Sequence, residues 1–503
     1  MKKIFFILPI ALCSAVAQPV SGATKSIQQT ATAKRPNLLF IIADQWRGRA
    51  LGFMGVEPVQ TPNLDKLAAS GVCMTQAVSG YPVSSPARAM LLSGAYPDKN
   101  GVLANCNSNT SPQNVELRQD IVCWSEVLKG AGYATGYIGK WHMDKLHAPF
   151  VDCANNRGQV AWNEWCEPSR RHGFDYWTAY GTYDRHLRPM YWNTDASRDE
   201  FYYVDQWGPE YEADLATEFI RSRAAQSAPW ALMVSMNPPH TGYEQVPDRY
   251  RVPYKNLNVD SIIASWPSAA NLEPSNRAYL KESLADYYAC MSGVDEQVGR
   301  IVAALAATGD LNNTIVVFTS DHGDMRGMHN HIGKNIFYEE SMRVPMIISA
   351  PGRLAACMDG DLLISLEDLC PTLLSMMGFK DRIPSSVQTR DLSAQVRGSR
   401  SHMPSSQLYM SWDEDDGRLL STRHGMRGIR TARYTYAQRA SDGKIVEEYL
   451  FDRHKDPYQK ENIASRHTAD LVALRGELRL RLEKIGDRWL ENSSNKMLER
   501  NSR

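Results

Sequence analysis

The chain has 503 residues, 43% of them hydrophobic and 22% charged, the make-up of a globular protein with room for more than one domain. Its 56 basic residues balance 56 acidic ones and no long basic run occurs, which excludes nucleic acid and an acidic bilayer as evident partners. With so weak a net field, an anionic ligand has to be captured by a local site.

At the start, Lys2 and Lys3 precede the apolar run Ile4 to Cys13, and Ala15-Val16-Ala17 offers a small-x-small cleavage site. The run is too short to cross a bilayer as a helix. This predicts a signal peptide over 1–17, a polar leader over 18–35, and export to the periplasm or the medium without stable membrane insertion. A lipid anchor on Cys13 is the weaker alternative, because bulky Leu12 stands where a small residue is expected. Of the eight later cysteines, Cys153 and Cys166 are close enough in sequence to pair, and buried free thiols are the alternative.

Asn37 to Ala43 (NLLFIIA) has the pattern of a buried strand. Thr61-Pro62 followed by NLDKLAASG reads as a helix capped by Thr61, with Pro in its first turn and Gly71 at its end. Further strands are expected at Tyr133 to Ile138, Ala231 to Met236, Thr314 to Thr319 and Val344 to Ser349, with a long helix over Arg277 to Ala307. This alternation predicts an α/β fold, a large mostly parallel sheet sandwiched by helices, over 36–384. The stretch 145–212, rich in Trp, Tyr, His and Arg, has little periodicity and reads as either an elaborate binding loop or an irregular packed excursion. After Pro384 the pattern changes. Gly428 to Tyr434 and Glu447 to Phe451 read as strands of a small sheet, and Leu471 to Leu490 as a terminal helix, giving a smaller α+β unit over 385–503.

The expected strands run into reactive residues. Asp44-Gln45 follows the first, Lys140-Trp141-His142 the second, Asn237 and His240 the third, Asp321-His322 the fourth, and a loop after Met74 to Ala77 leads to Ser84. In a parallel sheet these carboxyl ends share one edge, where ligands bind. Ser84-Ser85-Pro86-Ala87-Arg88 places Ser84 at a helix N-terminus, where free N–H groups favour an anion, with Arg88 one turn on. An ordinary helix cap with an exposed arginine is the plainer reading. Asp44, Gln45 and Asp321 offer oxygen and His322 nitrogen, a set that suits a hard cation, calcium or magnesium.

Together these residues resemble the formylglycine-dependent sulfatases of the alkaline phosphatase superfamily. Ser84 to Gly94 (SSPARAMLLSG) fits that family's signature throughout, and GKWH, NPPH, TSDHG and IGKN follow in the expected order. The resemblance implies that Ser84 is oxidised to formylglycine by a radical maturation enzyme before export, and that its hydrate is the nucleophile. It implies that Arg88 and Lys140 hold and polarise that group. Asp44, Gln45, Asp321 and His322 form the metal shell with Ser84. His142 takes a proton from the hydrate, His240 donates one to the leaving group, and Lys334 binds sulfate. The expected reaction is hydrolysis of a sulfate monoester on a carbohydrate, with N-acetylglucosamine 6-sulfate of host glycans and mucins or glycosaminoglycans first, galactose or galactosamine sulfate next. Tyr183, Arg185, His186, Arg188, Asp413 and His424 are candidate sugar contacts. Serine at position 84, Ala87, Gln45 and His322 depart from the commoner family residues. His322 also occurs in phosphatase and phosphonate-hydrolase relatives, which keeps those activities as an alternative. A glycan-binding relative without activity follows if Ser84 stays unmodified.

Overall fold

The computed structural model describes residues 34–269, 271–412 and 424–491. The expected signal peptide, leader residues 18–33, Cys13 and Asp413 lie outside these. Strand β1 (Asn37–Ala43) is buried along its whole length, and its side chains alternate between two cores. Leu38, Phe40 and Ile42 enter one; Leu39, Ile41 and Ala43 enter the other. A strand covered on both faces needs no polar alternation, which is why its sequence is an unbroken apolar run.

The same sheet contains β2 (Val72–Met74), β3 (Ala134–Lys140), β4 (Tyr176–Tyr180), β5 (Met190–Asn193), β6 (Tyr202–Tyr203), β7 (Trp230–Met236), β8 (Thr314–Ser320), β9 (Met346–Ser349) and β10 (Cys357–Asp359). Their order is β10-β2-β9-β8-β1-β7-β3-β4-β5-β6. The central run β8-β1-β7-β3-β4 is parallel throughout. The flanks differ: β9 is antiparallel to both β8 and β2, and β5 and β6 reverse again.

Helices cover both faces. The Ser84–Ser93 helix contributes Ala87, Leu91 and Leu92 to one core. The Pro62–Ala69, Gly208–Ala224 and Pro274–Ala307 helices pack Leu64, Phe219 and Leu284 into the other. Thr61 precedes its helix as expected but does not cap it. Its hydroxyl accepts from the Gly52 N–H at 2.7 Å and donates to Asp65 at 2.8 Å. The aromatic stretch 145–212 is not merely a loop, since β4 to β6 extend the sheet there. Cys153 and Cys166 are buried free thiols.

A second, antiparallel sheet comprises β11 (Ser406–Ser411), β12 (Gly425–Thr431), β13 (Tyr434–Ser441) and β14 (Lys444–Asp452). The expected strand Gly428 to Tyr434 runs over the end of β12, the turn Ala432-Arg433 and the first residue of β13, while Glu447 to Phe451 falls inside β14. The terminal helix spans Thr468–Ile485 and lays Leu471, Leu474, Leu478 and Leu482 on this sheet. Tyr81, Val83 and Met90 join the same core, so the loop before Ser84 rests on the second sheet. No helix among the described residues is long and apolar enough to cross a membrane.

Candidate active site

The parallel register brings the ends of β8, β1, β7 and β3 side by side. β1 and β8 pair Ala43 with Ser320, so Asp44 and Asp321 emerge together. β3 and β7 pair Gly139 with Ser235, so Lys140 and Asn237 emerge beside them. Gly139 has φ +97°, and a Cβ there would lie 2.1 Å from the Ser235 carbonyl oxygen. Only glycine lets β3 approach β7 so closely just before the lysine.

Ser84 is the first residue of its helix, with Val83 at the cap position, so it is not itself the cap. Its Oγ lies 3.3 Å from Asp44 Oδ2 and 3.1 Å from His322 Nε2. Arg88 sits one turn deeper and wholly buried, so it is not the exposed arginine of the plainer reading. Its guanidinium donates to Asp321 Oδ2 at 3.0 Å, Asp44 Oδ2 at 3.1 Å, the Lys140 carbonyl at 2.9 Å and Ser235 Oγ at 2.6 Å. A buried charge is tolerable only when paired and hydrogen-bonded, and Arg88 meets both conditions. It therefore acts on the two aspartates rather than on Ser84.

Lys140 Nζ lies 2.7 Å from Asp44 Oδ2 and donates to Asn237 Oδ1 at 3.1 Å. Burial pushes the Asp44 carboxyl up, but Lys140, then His240, Arg88 and His322, overcome this and hold it well below the usual range. Asp321 is raised instead, by burial and by the neighbouring Asp44 charge. Asp44 thus carries the firm negative charge of the pair.

His322 donates from Nδ1 to the Gly323 carbonyl at 2.8 Å, which leaves Nε2 with its lone pair. Nε2 faces Asp44 Oδ1 at 3.6 Å and Asp321 Oδ1 at 3.7 Å. Asp44 Oδ1 is buried and has no hydrogen-bond partner among the described residues. An orphaned carboxylate oxygen opposite a fixed imidazole lone pair is what a divalent cation requires, so these residues fit one. Gln45, strained at φ +67°, turns its amide oxygen to Lys334 at 2.7 Å. Its amide nitrogen donates to Tyr243 and Asp324.

His142 and His240 flank this core. His142 Nε2 is 3.0 Å from the Cys106 carbonyl and donates to it; Nδ1 is buried and has no partner among the described residues. Burial, with Lys140 and Arg88, pushes its pKa well down, so the ring is a neutral base with a free lone pair. His240 Nδ1 faces Asp184 Oδ1 at 3.1 Å, and its Nε2 faces Lys334 Nζ at 3.2 Å. Burial, Lys140 and Lys334 lower His240 against the pull of Asp44 and Asp184.

The candidate sugar contacts scatter. Tyr183 and His186 are buried, and His186 bonds the Thr241 carbonyl at 2.9 Å. Arg188 is exposed, pairs with Asp205 at 2.9 Å and lies over Tyr203. Arg185 is exposed. His424 lies 3.4 Å from Asp442 and lines a cavity of about 610 Å³ together with Lys334, Asn105, His331 and Trp412. That cavity joins the second sheet to the strand-end site. Asp184 is the functional residue that sequence reasoning missed. It follows β4, which was not recognised as a strand, so a fifth strand end went unseen.

A model of the Sulfatase family matches residues 36–379, and one described as N-sulphoglucosamine sulphohydrolase, C-terminal, matches 327–487. The chain is 35% identical over 502 residues to the endo-4-O-sulfatase of Bacteroides thetaiotaomicron, covering 93% of this chain and 96% of that protein. It is 24% identical to the N-acetylglucosamine-6-O-sulfatase of the same organism over 546 residues, 94% of this chain and 90% of that one. A solved Bacteroides fragilis structure described as a sulfatase, yidJ, superposes with a TM-score of 0.88 at 52% identity, over 93% of this chain and 99% of that one.

Proposed function

The chain belongs to the sulfatase family, and from that premise we propose that it is an exported glycan sulfatase acting on sulfate monoesters of a glycosaminoglycan-type polysaccharide. One observation carries the reading: Ser84 Oγ sits within hydrogen-bond distance of both Asp44 and His322, above a buried arginine that ties Asp44 to Asp321.

Conversion of Ser84 to formylglycine, by a maturation enzyme acting before export, supplies an aldehyde hydrate with one hydroxyl to attack sulfur and a second to release it. Asp44, Asp321 and His322, with Gln45 and Ser84, would hold a calcium or magnesium ion, which when bound offsets charge on the sulfate oxygens. The chain's own groups do the rest. Lys140, against Asp44, and Lys334, against Gln45, present ammonium groups that favour the charge building up on the sulfate oxygens on attack. His142 Nδ1, without a partner among the described residues, is the lone pair that takes the proton of the second hydroxyl as sulfate is expelled and the aldehyde re-forms. His240, steered by Asp184, presents Nε2 on the side of Lys334, where the sugar oxygen departs and needs a proton.

The sugar is less well supported than the reaction. The 6-O-sulfated N-acetylglucosamine expected from the sequence rests on the more distant of the two curated relatives, and the nearer of the two is named for 4-O action. Oligosaccharides bearing 4-O- and 6-O-sulfated hexosamine, offered to the matured enzyme, separate them. His322 keeps phosphate or phosphonate ester hydrolysis as the second reading. Mass spectrometry of the Ser84 peptide from active native enzyme should show the loss of two hydrogens. An unmodified peptide, or faster turnover of phosphate than sulfate esters, overturns the proposal.

A further inference from the structure

On the seam between the two sheets, four arginines surround one buried carboxylate. Arg430, from β12, grips Glu339 with two bonds of 2.6 and 2.9 Å. Arg453, just after β14, lies 3.2 Å from Glu339, and Arg343, just before β9, lies 3.7 Å from it. Arg49, in the loop after β1, closes the ring. Its charge and that of Arg430 act on both Arg343 and Arg453. Burial, together with this repulsion, draws both guanidinium pKa values down although Glu339 pulls them up. The same positive surround, outweighing burial, holds Glu339 well below the carboxylate range. Among the described residues Glu339 is the one carboxylate within ion-pair distance of Arg343, Arg430 and Arg453, and Arg49 has none.

Joining the two lobes accounts for part of this. Arg343 donates from Nε to the Thr75 carbonyl at 2.8 Å; Arg453 donates to Gln76 at 2.8 Å and to the Ala432 carbonyl at 3.2 Å. These bonds leave two sets of donors unused. Arg343 Nη1 has only the 3.7 Å approach to Glu339. Among the described residues the Arg49 guanidinium donates to nothing and rests 5.6 Å from the Tyr458 ring. Both residues line a cavity of about 300 Å³ together with Arg453, His454, Gln76, Glu339 and exposed Asp361, three arginines against two carboxylates. None of the strand-end residues of the active site lines it.

We propose that this cavity is a second oxyanion site, which takes a tetrahedral dianion such as sulfate, held by Arg49 and Arg343 at the junction of the two sheets. Guanidinium donors converging from separate loops suit a ligand with several acceptor oxygens better than a single planar carboxylate, which Glu339 already supplies. The sulfate is either the free ion, which is the product of the proposed reaction, or a sulfate group carried by the polysaccharide. The inference stands on the charge imbalance and the cavity, so it survives if the proposed sugar, or even the proposed reaction, fails.

The test uses full-length protein carrying Lys334→Met, which weakens sulfate binding at the active site. Inorganic sulfate should raise the melting temperature of this background, and adding Arg49→Gln should raise the half-saturating sulfate concentration by roughly tenfold or more. Arg49 makes no hydrogen bond among the described residues, so the substitution should leave folding intact; the melting temperature without sulfate checks this. Crystals in selenate should show selenium beside Arg49 and Arg343. If a sulfated oligosaccharide produces the Arg49-dependent shift and free sulfate does not, the ligand is the glycan-borne group. Selenium density without an Arg49-dependent shift marks an adventitious ion only and overturns the proposal, as does a sulfate response that Arg49→Gln leaves unchanged.

Discussion

Asp184 Oδ1 stands 3.1 Å from His240 Nδ1, and so decides which ring nitrogen of His240 faces Lys334 and the reacting centre. Asp184 is itself fixed, by Asn155 Nδ2 at 3.0 Å and Asn237 Nδ2 at 3.1 Å. The acceptor on Nδ1 keeps the proton there in the neutral ring and stabilises the imidazolium when Nε2 is protonated. In Asp184→Asn the amide can donate to Nδ1, which selects the wrong tautomer. The expected result is a fall in kcat/KM on sulfated oligosaccharides of about 10²-fold, within the usual span for general acid catalysis. A nitrophenyl sulfate, whose leaving group needs no proton, should lose far less. Equal losses on both substrates would rule out the role of Asp184 through His240.

Arg88 is a structural keystone before it is anything else. Removing it by Arg88→Met leaves Asp44 and Asp321 facing each other at the end of the sheet with only Lys140 between them and repulsion. Breaking a buried pair from one side costs about 3–5 kcal/mol. Denaturant unfolding should show a loss of that order, with the slope unchanged. A loss under about 1 kcal/mol would mean that the two aspartates find other compensation.

Glu212 gives a pH signature in stability. Its side chain is fully buried; Tyr191 and Tyr180 hydroxyls approach Oε1 at 3.1 and 3.4 Å, and Oε2 has no partner among the described residues. Burial outweighs these hydroxyls and pushes its pKa to about 8, against 4.5 for an ordinary glutamate. The unfolded chain releases this proton above 4.5 while the folded one keeps it until about 8. The resulting stability is therefore complete below 4.5 and is lost as the pH rises through 8. Glu212→Gln, neutral at every pH, should gain on the parent by up to a few kcal/mol between pH 5 and 9. A difference in unfolding free energy that stays flat across that range would show that Glu212 titrates normally.

Much of this site can be read in the chain because β1 and β8 are buried on both faces. Their apolar runs end abruptly, so Asp44 and Asp321 stand out as the first charged residues. β4 lacks that contrast. Tyr-Trp-Thr-Ala-Tyr mixes aromatic and polar groups and leads into more of the same, which hid Asp184. The second sheet was misread for a related reason. The turn between β12 and β13 is Ala432-Arg433, without glycine or asparagine to mark it, and it is secured by Thr431 Oγ1 accepting from the Tyr434 N–H at 2.7 Å. The arginine ring is invisible for another reason: its members run from Arg49 to Arg453, and only the packing of the two sheets brings them together.

The cation makes the last prediction. Asp44 Oδ1 is buried and has no partner among the described residues, and His322 Nε2 lies 3.6 Å from it. Leaving such a charge unneutralised is costly, so a divalent ion bound there stabilises the native state as well as preparing it for reaction. Chelation should lower the melting temperature, and calcium or magnesium should restore it in proportion to the logarithm of the ion concentration, by about 2.7 kcal/mol at a hundredfold excess over the dissociation constant. Asp44→Asn removes the charge that the ion meets while keeping the shape of the side chain. It should abolish the metal-dependent part of the stability and leave only the chelated value. A melting temperature that ignores both chelator and added ion, in protein shown to be free of metal, would mean that Asp44 and His322 are satisfied by water and Ser84 alone.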